Sequence, residues 1–378
     1  MESFIAYNPT ALHFGRNVLN DLGMVINRYG KKVLLVYGRS SIKQNGLYDL
    51  IISQLNKIDA EVYEYGGIKS NPIIEDVDAA SDFGRKRGVN VILAVGGGSV
   101  IDSSKVIAIT IPYQVKAWDF FEHKATPQTA LPVIAVLTLA ATGSEMYPFA
   151  VMSNHEVEAK GSFTTPLMFP KHSFLDPQFT VSVPYDYTAY GIADLIAHCL
   201  EAYFGKGEAT LADRFVFSII KEALENGPAL LKDLKNYDLR ARIMFAATMA
   251  LNGMTMQGRA SGEWGVHSIG HILSLMYDVP HGASLTVVYP AWLKLQKHRL
   301  ADRIAYLGKN VFNTKDVDLT IERLESFFRL IDCPVRLTDI VKNPDPAEII
   351  RIMTLNKAAT FVHPLNQEDY KAIVDLML

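Results

Sequence analysis

Val91-Ile92-Leu93-Ala94-Val95-Gly96-Gly97-Gly98-Ser99-Val100-Ile101-Asp102 is the stretch that decides the fold. Its apolar run does not alternate, so it reads as a strand covered on both faces, the signature of a parallel sheet flanked by helices. The glycine turn leads into a helical pattern from about Val100 to Thr110. Glycines let a backbone approach a ligand closely, and the free N–H groups of a helix start suit a phosphate or pyrophosphate. Ser99 reads as the N-cap or as a phosphate donor. The competing reading is a tight turn with no ligand, and three glycines alone do not decide between the two.

The same rhythm extends outward. Strand patterns at Val33–Tyr37, Glu61–Tyr65 and Val133–Leu137 alternate with helical patterns at Gly46–Lys57 and Ile74–Arg87. Apolar strands separated by helices describe βαβ units. After Pro184 the strand patterns stop. Helical patterns follow at Tyr187–Phe204, Leu211–Glu225, Leu239–Leu251, Val266–Met276, Asp302–Lys309 and Leu319–Leu330, with Pro280, Pro290, Pro334 and Pro364 read as boundaries. We therefore expect a Rossmann-like α/β domain over 1–180 and an all-helical domain over 181–378.

Composition excludes more than it assigns. With 37 Lys+Arg against 40 Asp+Glu, the net charge of −3 argues against a nucleic-acid footprint or a polybasic membrane patch. Only Cys199 and Cys333 are present, too few for a disulfide framework, and both read as free thiols in a reducing compartment. The uncharged stretch Ala125–Ser144 contains Pro127, Pro132 and Gly143 and reads as a buried strand with loops, not as a membrane span. No targeting segment is legible at Met1-Glu2-Ser3. The expectation is a cytoplasmic globular protein.

Two more turns follow strands of the expected sheet, Gly38-Arg39-Ser40-Ser41 and Thr138 through Ser144. In dinucleotide sites an acid after the second strand bonds the ribose 2′-OH, whereas an Arg there accommodates a 2′-phosphate. Arg39, with Ser40 and Ser41 and no acid between them, favours NADP over NAD; the bland alternative is a solvated surface arginine. The helical half carries a different constellation. Asp194 and His198 are four apart, on one helical face, and His267, His271 and His281 cluster in a chain with only ten histidines. Their neighbours Ile192, Leu195, Ile196, Val266, Ile269, Ile272 and Leu273 are apolar. Buried ionisable groups need a partner or a metal, and a carboxylate with imidazoles suits Fe2+, Zn2+ or a similar ion. Spacing alone leaves open which imidazoles bind.

With those pieces in order, the chain resembles the iron-dependent (group III) alcohol dehydrogenases, in particular the branch of butanol dehydrogenases and NADPH-dependent aldehyde reductases. The resemblance rests on Asn8-Pro9-Thr10 with Phe14-Gly15, Gly96–Ser99 with Asp102 and Lys105, Thr138 through Glu145, and Lys160-Gly161. It continues with Asp176-Pro177, Asp194 with His198, and the run from His267 through His271 to His281-Gly282. The architecture it implies is that of dehydroquinate synthase-like proteins. It implies metal ligands Asp194, His198, His267 and His281, and leaves His271 facing substrate and nicotinamide, as a proton relay or in a purely supporting role. It also implies that Gly97, Gly98 and Ser99 hold the pyrophosphate, that Thr138, Thr142 and Lys160 line the cofactor, and that Asp102 belongs to the same site. In this branch NADPH users often carry a small residue at the Arg39 position and NADH users an acid. Family members usually dimerise through the N-terminal segment, here Ile5–Phe14.

The resemblance implies hydride transfer between NADP(H), or NAD(H), and a primary alcohol or aldehyde, with the metal as Lewis acid. Glycerol dehydrogenase-like polyol oxidation is the nearest rival. A cyclase of the dehydroquinate synthase type would need basic residues around the ligand helices, and Gly191–Phe204 and Gly265–Met276 carry almost none. A non-catalytic nucleotide-binding protein would have no use for Asp194 and the histidines.

Overall fold

Alternate residues of the central strands go to opposite faces, and both faces are covered. Leu34, Val36, Ile92, Ala94, Val133 and Ala135 join one buried cluster, while Val33, Leu35, Val91, Leu93, Ile134 and Val136 join the other. Each such aliphatic side chain contributes about 1.5–3 kcal/mol on leaving water. The computed structural model describes residues 1–358 and 360–378. Two compact units emerge, one of Tyr7–Val183 with Leu234–Met244, the other of Met1–Ala6, Pro184–Asp233 and Phe245–Leu378.

The α/β unit holds strands β1 (Ala11–Phe14), β2 (Lys32–Tyr37), β3 (Glu61–Tyr65), β4 (Val91–Gly96), β5 (Val133–Leu137), β6 (Phe149–Asn154), β7 (Ala159–Thr164) and β8 (His172–Leu175). Six of them form one parallel sheet in the order β1-β8-β5-β4-β2-β3, and β6 and β7 form a separate antiparallel hairpin. Register aligns Tyr37 with Val95 and Gly96 with Leu137, so the C-terminal ends of β2, β4 and β5 lie side by side. The Gly98–Thr110 helix follows β4 and starts with Gly97 at its N-cap. This corrects the reading of Ser99 as N-cap. Ser99 lies inside the first turn, and its hydroxyl donates to the Ser70 carbonyl at 2.5 Å.

The other unit is helical. Its main elements are Tyr185–Tyr203, Thr210–Lys232, Gly265–Tyr277, His281–Gln296 and Val317–Leu330. Pro290 is not the boundary expected of it, since it lies inside His281–Gln296. A proline in a helix interior removes one N–H bond and crowds the preceding turn. Every residue from Gly282 to Leu293 is buried, so packing of this helix outweighs that local cost. Among the described residues, no helix is long and apolar enough to cross a membrane.

The units are not the two continuous halves divided near 180 that the sequence suggests. Buried Arg240 draws Leu234–Met244 into the α/β unit by donating to the carbonyls of Leu234 (2.8 Å) and Val183 (3.3 Å). The Arg16 guanidinium lies 3.4 Å from the Tyr237 ring centre and adds a second tie. The first residues join the helical unit, where the Glu2 N–H donates to Gly258 O at 2.9 Å.

Lys105 organises the region behind the glycine turn. Wholly buried on the Gly98–Thr110 helix, it donates to Ser144 Oγ (2.6 Å), Tyr147 O (2.7 Å) and Phe149 O (2.8 Å). Ser144 donates onward to Asp102 Oδ1 at 2.5 Å, and Asp102 Oδ2 accepts from the Val151 N–H at 3.0 Å. Burial pushes the Lys105 ammonium down to about 8, opposed by the charges of Asp102 and Glu145. Lys105→Met removes the cation and strands the carbonyls and carboxylate it satisfies. We expect a loss of about 3–5 kcal/mol in urea unfolding, as for other broken buried pairs; a loss below 1 kcal/mol would show that the network is dispensable.

Candidate active site

Three adjacent parallel strands bring the three turns singled out in the sequence to one sheet edge. The Gly97–Gly98 turn follows β4, the Thr138–Ser144 turn follows β5, and the Gly38–Ser41 turn follows β2. The Thr138 N–H donates to Gly96 O at 3.0 Å, tying two of them together. Gly98 is required by close approach, because a Cβ there would fall 2.3 Å from Thr142 Oγ1. Thr142 Oγ1 in turn accepts from the Ser144 N–H at 3.2 Å. The Gly38 carbonyl accepts from Gly67 N at 2.8 Å, Ser40 Oγ accepts from Gln44 at 3.4 Å, and Arg39, Ser40 and Ser41 are exposed. Lys160, on the hairpin, donates to Asn71 Oδ1 at 2.9 Å. Asp102 points into the Lys105 network. Burial raises its pKa, against the pull of Lys105, Ser144 and the Val151 N–H.

The helical unit carries the cluster of Asp194 and the histidines. Asp194 and His198 stand one turn apart on Tyr185–Tyr203, a helix that is buried almost throughout. His267 and His271 lie on Gly265–Tyr277, and His281 opens the next helix. Gly282 lets that helix start seat itself, since a Cβ there would fall 2.3 Å from the carbonyl oxygen of Tyr190. The Asp194, His267 and His281 ligand atoms come within 4.8 Å of one another. Asp194 Oδ1 is 3.7 Å from Nε2 of both His267 and His281. His198 falls outside that trio, but its Nδ1 is 3.6 Å from the same oxygen, and its ring stacks on His267 at 4.7 Å. His271 is half-buried beside them, its ring 5.2 Å from His281 and 6.3 Å from His267. Trp264 closes one side, edge-on to His267 at 5.5 Å and His198 at 6.3 Å.

These atoms fit a divalent cation. Asp194 Oδ1, His198 Nδ1 and His267 Nε2 are buried with no hydrogen-bond partner, and each is an acceptor of the kind that ligates iron or zinc. Burial would raise Asp194, but the surrounding His198, His267 and His281 hold its carboxyl well below the usual range. His198 is lowered to about 4 by burial, which outweighs the attraction of Asp194. Burial also works against charge on His267, yet the carboxylates of Asp194, 3.7 Å away, and Glu201, hydrogen-bonded to Nδ1, lift it to about 9, so a cation at Nε2 would displace a proton. The cluster therefore has one carboxylate surrounded by imidazoles that compete for few protons.

Two carboxylates behind the histidines are absent from the sequence reading. Glu201 is fully buried and accepts from His267 Nδ1 at 2.8 Å and from the His267 N–H at 3.0 Å. Glu263 accepts at Oε2 from the N–H groups of Val362 (3.1 Å) and His363 (3.0 Å). Spacing held the signal for Glu201, three residues beyond His198 in the same apolar helix, where a buried acid needs a partner. Nothing local marks Glu263, because its partners are about a hundred residues away.

The chain matches the family description "Iron-containing alcohol dehydrogenase" over residues 9–177 and its C-terminal counterpart, "Fe-containing alcohol dehydrogenase family, C-terminal", over 188–377. It belongs to the iron-containing alcohol dehydrogenase family and is an oxidoreductase of that class. Among its relatives, a probable NADH-dependent butanol dehydrogenase 1 of Bacillus subtilis is 39% identical, with 100% of both chains covered. The NADPH-dependent aldehyde reductase YqhD of Escherichia coli is 34% identical, over 90% of this chain and 89% of its own. The crystal structure of NADH-dependent butanol dehydrogenase A from Thermotoga maritima superposes with a TM-score of 0.96 at 34% identity, covering 100% of this chain and 99% of that one.

Burial, reinforced by the charge of Glu201, raises Glu263 to about 7 against the two backbone N–H groups that favour its ionised form. Unfolded, the same carboxyl ionises near its ordinary value, so the native state binds the extra proton between about pH 4.5 and 7. In the metal-free chain, wild type should therefore lose about 3 kcal/mol relative to Glu263→Gln as pH rises through that window. Urea unfolding of both chains at intervals of pH checks this, and a constant difference would contradict it.

Proposed function

We propose that this chain transfers hydride between NADP(H) and primary aliphatic alcohols or their aldehydes, with broad, butanol-like specificity, using one divalent metal, Fe2+ or Zn2+. The observation that carries the reading is the set of buried, unpartnered acceptors on Asp194, His198 and His267. Together with His281 they make a one-carboxylate, three-imidazole ligand set. When bound, the ion supplies Lewis acidity toward the carbonyl or alcohol oxygen. His271 would orient that oxygen or carry the proton it gains on reduction, since an imidazole exchanges protons near neutral pH. Reduction then balances as aldehyde, NADPH and one proton giving alcohol and NADP+.

On the α/β side, the backbone N–H groups at Gly97, Gly98 and Ser99 would take the pyrophosphate, with Thr138, Thr142 and Lys160 along the cofactor. Asp102 would act by shaping the turn through Ser144. Arg39 supports the NADP preference because it is an exposed cation at the end of β2 with only Ser40 and Ser41 beside it. Butanol dehydrogenases with NADH in their names are 34–41% identical and the NADPH-dependent reductase 34%, so Arg39 itself is what supports the NADP preference. We further propose a cytoplasmic homodimer joined through Ile5–Phe14. Ile5 is 91% exposed, and β1 is the outermost strand of its sheet, with an edge open to pairing.

The test is turnover of C2–C8 aldehydes, alcohols and glycerol by the metal-loaded chain with NADPH and NADH, with sedimentation giving the mass of two chains. Activity on aldehydes such as butanal is expected; activity confined to glycerol would favour the polyol reading, and none at all would refute the proposal. Arg39→Asp should shift the NADPH-to-NADH ratio of kcat/KM at least about tenfold toward NADH, the loss of one charge-assisted phosphate contact. An unchanged ratio would remove Arg39 from the site.

A further inference from the structure

We infer that Glu201 is a positioning residue that aims His267 at the metal; this deepens the metal-site reading proposed above and rests on it. Asp194, His198 and Glu201 fall at i, i+4 and i+7 of the Tyr185–Tyr203 helix, on one face. One helix thus presents two metal-facing groups and, a turn later, a carboxylate that reaches the neighbouring helix. Glu201 Oε1 accepts the His267 backbone N–H and faces the ring at 2.8 Å, so the ring nitrogen on that side is assigned as the donor. That nitrogen is Nδ1, which leaves Nε2 as the ring atom that a metal would take in place of a proton. Nε2 is the buried, unpartnered atom, 3.7 Å from Asp194 Oδ1.

The same Glu201 oxygen also takes the His267 backbone N–H at 3.0 Å, so it fixes both the ring and the helix turn that carries it. The Glu263 N–H donates to the Glu201 backbone carbonyl at 3.0 Å and anchors the loop that enters the His267 helix. Without the carboxylate the ring is free to turn over or to change tautomer, and its remaining nitrogen is a poorer donor. Glu201 reaches the reaction only through His267 and touches neither substrate nor cofactor.

The experiment compares wild type, Glu201→Gln and Glu201→Leu as full chains stripped of metal and titrated with zinc against a competing chelator. Circular dichroism reports folding, and proton NMR of the zinc-loaded chains reports the His267 Nδ1–H. Zinc affinity should fall about ten- to a hundredfold in Glu201→Leu, with Glu201→Gln between, as for other groups hydrogen-bonded to metal ligands. The Nδ1–H resonance should shift in Glu201→Gln and vanish in Glu201→Leu. A folded Glu201→Leu chain that binds zinc like wild type overturns the inference. Should that variant not fold, wild-type affinity and an unshifted resonance in Glu201→Gln overturn it equally. A wild-type chain that binds no zinc would instead bring down the metal site on which the inference stands.

Discussion

Asp194 Oδ1, His198 Nδ1 and His267 Nε2 are buried within the helical unit, and none of the three has a hydrogen-bond partner. Each unsatisfied atom costs on the order of 1–3 kcal/mol, a large fraction of the 5–15 kcal/mol that holds a domain together. The helices of this unit must keep that cost in place, and the packing around the cluster is built for it. Gly282 brings a helix start against the Tyr190 carbonyl, and the long buried helix it opens tolerates a proline in its interior. The proposed ion would repay the strain directly, because metal binding to such a site adds to folding free energy.

The α/β unit meets the opposite requirement, presenting backbone instead of hiding side chains. Parallel pairing places three turns at one sheet edge, and Gly98 keeps the Thr142 side chain against the helix start. Buried Lys105 then spends its three N–H donors on the segment behind that turn. A charge that deep is costly unless every donor is used. Its role is therefore architectural, and the turn in front of it offers backbone N–H groups and short hydroxyls to the proposed cofactor.

Much of this was legible in the residues. The apolar runs Val33–Tyr37, Val91–Val95 and Val133–Leu137 became β2, β4 and β5, Glu61–Tyr65 became β3, and the Asp194-His198 spacing put both groups on one face of a single helix. Strands β1 and β8 escaped notice because each is four residues long and includes a histidine, while β6 and β7 form a hairpin outside the main sheet. Leu234–Met244 could not be assigned to the α/β unit from sequence, because its tie is Arg240 reaching back to Val183. The carboxylates behind the ligands were hidden for a related reason. Glu201 acquires meaning only once His267, 66 residues away, is placed against it.

In the proposed site the clustered side chains divide into metal ligands and one histidine, His271, that is not a ligand. Metal content of the purified chain, loaded anaerobically with Fe2+ or Zn2+ and desalted, tests this most directly when His267→Ala and His271→Ala are compared with wild type. The account predicts one divalent ion per wild-type chain, loss of that ion in His267→Ala, and retention in His271→Ala. Retention in His267→Ala, or loss confined to His271→Ala, would contradict it.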